Sequence, residues 1–407
     1  MTDDLIGVDE LVGRVLAAVA PLPARSVPLL EAAGLVCVED VVSSLALPGF
    51  DNSAMDGYAV VRADLAGATE ASPVRLPVVG EIGAGRAGPE AISPGSAAKI
   101  MTGAPVPRGS DAVVPYEWTD RGAREVLVTA APSAGQHIRP AGEDIAVGDA
   151  VVPAGARLGP RHLGLLAAVG RAEVLVRPRP RAVVLSTGSE VREPGTALGP
   201  DSVYDANSFL VASSLRAAGA DARRFGVVGD DPETFLAALE ECLAEADLVV
   251  TSGGVSQGDF DVVKAALRPL GSVWFGGVRM QPGKPQGFGT VGDREVPVFT
   301  LPGNPVSSYV STEVFVLPAV RRMLGRAPER RPRQRAMLTR RMRSPAGREQ
   351  YARGTWTEDG RVAPVGGHGS HLIGGLAASN ALIVMPAETT SLEAGDVVEV
   401  LRLDEDF

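Results

Sequence analysis

The chain is short of several residue types, and each shortage excludes something. Aromatic residues make up only 4% of its 407 positions, so its cores have to be built from Val, Leu and Ala. Cysteine occurs twice, at Cys37 and Cys242, each among aliphatic neighbours and without CxxC spacing. That argues against a disulfide framework and reads as two reduced core thiols in a cytoplasmic protein. No apolar run approaches the ~18 residues of a membrane span, and the first residues are acidic where a signal peptide would be basic. Lysine is nearly absent: only three of 39 basic side chains, Lys99, Lys264 and Lys284, are not arginine. A GC-rich coding bias accounts for this. Against it, a surviving lysine hints at a site where a compact ammonium serves and a planar fork does not. The net charge of −10 argues against nucleic acid or an anionic membrane as a general partner.

What is present is length and punctuation. A chain of 407 residues with 48 Gly and 32 Pro implies several loop-rich modules. Residues 9–20 have the spacing of an amphipathic packing or dimer helix, with Asp9 as its N-cap. From 47 to 146, short Val-rich runs between Gly and Pro read as an inserted β module, flanked by an N-terminal domain of residues 1–46 and 147–177. Beyond the basic hinge Arg177–Arg181, residues 178–327 alternate strand and helix, which predicts a doubly wound, three-layer α/β/α domain on a parallel sheet. Residues 328–407 alternate again and read as a small β-barrel or sandwich. The fold class is therefore α/β plus β, multidomain.

Gly83, Gly85 and Gly88 spell GxGxxG, but PEAISPGS follows, and a dinucleotide site would need a helix there. That run reads as a β-turn. In a doubly wound sheet the strand-end loops share one rim, and here they carry the chemistry. Ser252, Gly253 and Gly254 let backbone amides approach an anion, as do Thr187, Gly188 and Ser189. Pro302, Gly303, Asn304 and Pro305 open a helix whose first amides can meet an oxyanion. Glu190, Asp230, Asp231, Asp259 and Asp261 lie in the same turns, as ligands for Mg²⁺ or as helix N-caps, the latter suiting Asp230, Asp231 and Asp259. Lys284 stands between a glycine and a proline, a rigid presentation of one cation. In the β module, turns carry Asp56, Thr102, Arg139 and Asp144. With no Ser/His/Asp or Cys/His set and no convincing histidine pair for zinc, the inventory suits phosphoanhydride cleavage or group transfer.

PGFDNSAMDGYAV, KIMTGAPVP, IRPAGEDI, STGSE, TSGGVSQGDFD, QPGKPQGFG and LPGNPVSS occur in an order that resembles the MoeA and gephyrin E-domain family over essentially the whole chain. The resemblance implies a homodimer of four-domain subunits that inserts molybdate into adenylated molybdopterin, releasing AMP with the help of Mg²⁺. It implies functional roles for Asp56, Thr102, Arg139 and Asp144 across the dimer, and acidic, metal-binding roles for Glu190, Asp231 and Asp261. Lys284, Pro302, Pro305 and Ser307 match the loops around pterin phosphate and molybdate, and Arg353 is the arginine expected beside them. Some relatives carry lysine where this chain has Gln281 and Gly277, a loss that Arg279 could offset. A molybdopterin adenylyltransferase, which uses a similar SGG loop, is the enzymatic alternative and a further expected partner, as supplier of substrate. A non-enzymatic scaffold is the binding alternative.

Overall fold

A computed structural model of the chain describes residues 5–85, 88–253, 262–367 and 369–405. It forms two compact units, one from Val27–Ala33 and Glu39–Val174, the other from Met1–Ser26, Gly34–Val38 and Leu175–Phe407. Helix α1 (Val8–Ala18) comes first, burying Val8, Leu11, Val12 and Val15 at the spacing of one helical face. Its N-cap is Gly7, two residues earlier than expected, and Asp9 pairs with Arg330 at 2.7 Å instead.

The smaller unit is organised by a five-stranded sheet. Its strands are β1 (Gly57–Val60), β2 (Val74–Ile82), β3 (Ala97–Ile100), β4 (Ala112–Pro115) and β5 (Glu125–Val128), in the order β4-β1-β3-β2-β5. Tyr58, Val60, Leu76, Val114 and Val126 fill one face of it, so valine does the work that aromatics do elsewhere. The strand β2 ends in Gly83 and Gly85, the latter at φ +72°, and no helix follows in the described residues before β3. The glycine run is a turn. Helix α2 (Pro160–Ala168) belongs to the same unit.

In the larger unit strands and helices alternate. They are β6 (Arg181–Thr187), α3 (Asn207–Ala217), β7 (Asp221–Val228), α4 (Pro232–Glu245), β8 (Leu248–Ser252), α5 (Val262–Leu267), β9 (Val273–Gly277), β10 (Met280–Gln281), β11 (Pro285–Val291), β12 (Val296–Leu301), α6 (Pro305–Ser311) and α7 (Leu317–Met323). The sheet order is β7-β6-β8-β12-β11-β9. Strands buried on both faces give near-continuous apolar runs, and the period of two sorts their side chains. Ala182, Val184, Leu248 and Val250 join α1, α3, α6 and α7 in one core, while Val183, Leu185 and Val249 join α4 and α5 in the other. Each fully buried Leu or Phe in these layers contributes about 1.5–3 kcal/mol. The sheet departs from the expected all-parallel pattern at one edge, where β11 runs antiparallel to β12 and β9 to β11. The turn between β11 and β12 has too few residues for the crossover that a parallel neighbour needs.

The chain ends in β13 (Arg333–Leu338), β14 (Glu349–Trp356), β15 (Arg361–Pro364), β16 (Ala381–Met385) and β17 (Val397–Arg402). Pairing runs β14-β15-β13-β17-β16 and returns to β14, so the five strands close into a barrel. The short β10 adds to it by a parallel pairing, Met280 opposite Glu349 and Gln281 opposite Gln350. That pairing fixes the barrel against the strand-end loops of the sheet.

Candidate active site

The loops leaving β6, β8 and β12 converge on a cavity of about 1180 Å³. Its wall mixes polar and apolar surface, because strand ends present backbone and small side chains where apolar packing stops. Gly253 illustrates why the loops have this composition. Its φ is +99°, and a Cβ there would stand 2.7 Å from the carbonyl oxygen of Thr187. Only glycine lets the two loops touch. Asn207, at the start of α3, then ties two of them together, its Nδ2 donating to Ser252 Oγ at 2.8 Å and to the carbonyl of Gly303 at 2.6 Å. Below them Asp205 is buried and fully engaged, accepting from Ser186 Oγ, from the amide and hydroxyl of Ser208 and from Arg224.

Most of the residues expected at the rim line this one cavity: Glu190, Ser252, Gly253, Lys284, the run Pro302 to Pro305, and Ser307. Lys284 opens β11, which lies three strands from β6. At about 4.8 Å per strand, roughly 14 Å separates the Glu190 turn from Lys284. The cavity thus has an acidic end and a basic end. The helix opening at Pro305 is less available than expected, since the amide of Val306 donates to the carbonyl of Ser370 at 3.0 Å.

The acidic turn sorts two neighbouring carboxylates. Asp231 caps α4, accepting from the amide of Thr234 at 2.8 Å and from its hydroxyl at 2.7 Å, and those bonds hold its carboxyl below the usual aspartate value. Asp230 lines the cavity instead, and accepts from the amide of Ser189 at 2.7 Å. Gly254, Asp259 and Asp261 lie outside the described residues. Among the described residues no three His, Cys, Asp or Glu side chains are grouped to hold a metal.

The smaller unit gathers its own motifs. Asp56 accepts from the amide of Thr102 at 2.7 Å and from its hydroxyl at 2.8 Å; the amide first, then the hydroxyl, holds the carboxyl below its usual value. Asn52 and Ser53 pair with Arg139 and Ile138 in a short antiparallel ladder, and Asp51 accepts from the amide of Ala141 at 2.7 Å. The segment containing Asp56 therefore clamps both the Thr102 turn and the Arg139 turn. Arg139 and Asp144 are exposed, with no side-chain partner among the described residues.

Comparison with known proteins identifies the family. Three family profiles match: the MoeA N-terminal region (domain I and II) over residues 6–170, a probable molybdopterin binding domain over 183–322, and the MoeA C-terminal region (domain IV) over 335–403. Molybdopterin molybdenumtransferase 2 of Mycobacterium tuberculosis is 44% identical over 400 residues, covering 97% of this chain and 98% of that protein. The chain belongs to the MoeA family. A Haemophilus influenzae molybdopterin molybdenumtransferase is 37% identical over 388 residues, covering 93% of this chain and 94% of its own. The crystal structure of a MoeA protein from Pyrococcus horikoshii matches with a TM-score of 0.85 at 32% identity, covering 99% of this chain and all of that one.

Within this MoeA cavity the cations differ from those the sequence suggested. Arg353 does not line it. Its buried guanidinium donates to the carbonyls of Leu372 at 2.8 Å, Gly369 at 3.3 Å and Gly367, and so shapes the loop that carries Ser370 and His371 to the wall. Arg348 does line the cavity, placed there by the pairing of β10 with β14, and it has no hydrogen bond or ion pair among the described residues. Arg279 is exposed and turned away, with its guanidinium beside Gly7. A side chain at Gly277 would press on Leu5 and come within 3.3 Å of Lys284 Cε, so the lysine of some relatives would need Leu5 to move aside. Gln281 lines the cavity as a neutral group. Sequence reasoning missed Arg348 and Asn207, and weighed His371 for zinc alone. Arg348 is one arginine among many, and Asn207 sits in a run that reads as ordinary helix capping.

Proposed function

We propose that the cavity binds adenylated molybdopterin and molybdate together, and that the protein transfers molybdenum to the pterin while AMP leaves. Its role lies in molybdenum cofactor biosynthesis, as the family membership shows. The observation that carries the finer reading is the two-ended cavity. A substrate with a phosphoanhydride and an incoming tetrahedral dianion needs both a metal-compatible acidic end and a cationic one. Lys284, Arg348 and Ser307 supply the second, where charge-assisted hydrogen bonds hold molybdate. Arg348 takes the part expected of Arg353.

The acidic end fits Mg²⁺. That ion takes one or two protein carboxylates and fills its other positions with phosphate oxygen and water. Glu190 has no side-chain partner among the described residues, and Asp230 commits one oxygen to Ser189 and keeps the other. When bound, the ion would draw charge from the phosphate oxygens of the anhydride. Asp230 replaces Asp231 in this reading, because Asp231 is engaged as a helix cap.

The protein acts as a homodimer in this proposal, with Asp56, Thr102, Arg139 and Asp144 of one protomer completing the cavity of the other. Support comes from exposed apolar side chains on the smaller unit, Leu45 (49% exposed), Phe50 (52%) and Val147 (67%) among them. Both cysteines, Cys37 and Cys242, are buried, which suits a cytoplasmic setting, where an adenylyltransferase would deliver the substrate. Purified protein given adenylated molybdopterin and Mg²⁺ should release AMP only when molybdate is added, and Lys284→Ala should abolish the release. Release of AMP indifferent to molybdate would sink this reading.

A further inference from the structure

Two buried polar atoms on the cavity wall have no partner among the described residues, Thr187 Oγ1 and Asn207 Oδ1. Thr187 is only 5% exposed, so its hydroxyl cannot simply turn to bulk water. Several of the groups beside them are paired. Ser186 bonds Asp205, Ser252 bonds Asn207, and the carbonyl of Gly303 bonds Asn207 as well. Orphaned buried polar atoms on a cavity wall mark a place where a ligand supplies the missing bond.

The chemistry of the missing partner follows from Asn207. Its amide nitrogen is spent on the two loops, so the group it offers to the cavity is a carbonyl oxygen, which only accepts. An ionised phosphate or molybdate oxygen also only accepts and would be repelled there. We propose that Asn207 binds the organic part of the substrate, accepting a hydrogen bond from a neutral N–H or O–H donor while its nitrogen holds the Ser252 and Gly303 loops at fixed spacing. Thr187 Oγ1, on the same wall, completes the pair. This deepens the transferase reading and rests on it. The donor belongs either to the pterin or to the adenosine, which carry the same kind of group.

The test compares wild type with Asn207→Ala by equilibrium titration with three probes: AMP, molybdopterin and inorganic pyrophosphate. One of the two organic probes should lose at least ten-fold in affinity, and which one identifies the donor. Pyrophosphate, which is anionic and lacks such a donor, should stay within two-fold. Equal loss for all three probes, or no loss for any, overturns the proposal. Molybdate-dependent AMP release by the wild type is measured alongside. If it is present while Asn207→Ala binds all three probes normally, this inference alone fails; if it is absent, the transferase reading fails first. Should the alanine variant melt below the assay temperature, Asn207→Ser carries the same three arms with the same expected outcome.

Discussion

The segment from Pro48 to Ala59 and the rim of the large cavity are both polar and both lack long regular structure, yet they use their polar groups in opposite ways. In the segment each group is answered close by. Asp51 accepts from Ala141, Asn52 donates to Phe50, Ser53 donates to Met55, and Asp56 accepts twice from Thr102. At the rim Thr187 Oγ1 and Asn207 Oδ1, with the charged ends of Glu190 and Arg348, are left without partners among the described residues. The first region spends polarity on its own conformation. The second keeps it for something that arrives. Substitutions in the segment should therefore tell first in shape, and through shape in the cavity it completes, while substitutions at the rim tell directly in affinity.

The largest effects should come from two arginines five residues apart that obey this distinction, Arg348 just before β14 and Arg353 within it. Arg348→Ala removes an unpaired cavity cation, so the melting temperature should hold while KM for molybdate rises on the order of ten-fold or more. Arg353→Ala leaves the carbonyls of Gly367, Gly369 and Leu372 without their donor in a buried loop. A cost of about 2–5 kcal/mol follows, at about 1–3 kcal/mol for each unsatisfied group, some of it recovered as water enters. Denaturant unfolding and steady-state kinetics on both variants check this. If Arg353→Ala keeps full stability and loses molybdate affinity, the assignment of the two residues is reversed.

Much of the fold was legible because burial leaves a periodic record. The all-apolar runs of β6 and β8 and the alternation in β2 could be read directly, and so could the closure of the tail into a β-barrel-like domain. The antiparallel edge was not legible. Whether β11 pairs parallel or antiparallel depends on the length of one turn, and the strand's composition is indifferent to it. At the site, glycine and proline loops marked the rim, because close approach demands them. Arg348 and Asn207 left no mark. Their importance comes from a strand pairing and from a bridge between loops 45 and 96 residues away, and neither is a property of neighbouring residues. Arg353 and Arg279 show the converse, plausible cations whose surroundings turn them elsewhere.

A smaller effect would sharpen the claim that the Pro48 to Ala59 segment is self-engaged. Because hydrogen bonds from Thr102 favour the charged form of Asp56, its carboxyl titrates below its usual value in the folded protein. A carboxyl depressed on folding adds stability above its unfolded pKa, and that contribution is lost as pH falls through the folded pKa. Thr102→Val keeps the backbone amide and removes only the hydroxyl. The Asp56 titration, followed by carbon-detected NMR, should move upward yet remain below the usual aspartate value. The stability difference from wild type should shrink as the solution is acidified past that titration. An unchanged titration would mean that the hydroxyl bond is not formed in solution.

The smallest effect tests the division between Asp230 and Asp231, where one step along the chain separates a cavity carboxylate from a structural one. Asp231 precedes Pro232 at the first position of α4 and accepts from Thr234, so its contribution is helix initiation. Asparagine caps a helix about as well as aspartate, whereas alanine does not. Asp231→Asn should therefore behave as wild type, and Asp231→Ala should lower the melting temperature by about two degrees while leaving the Mg²⁺ concentration for half-maximal AMP release unchanged. Asp230→Ala should do the reverse, raising the Mg²⁺ requirement at little cost in melting temperature. Asn in place of Asp231 is the decisive substitution, since it preserves the cap and removes the charge. If that variant demands more Mg²⁺, Asp231 serves the metal as well as the helix, and the two carboxylates share one task.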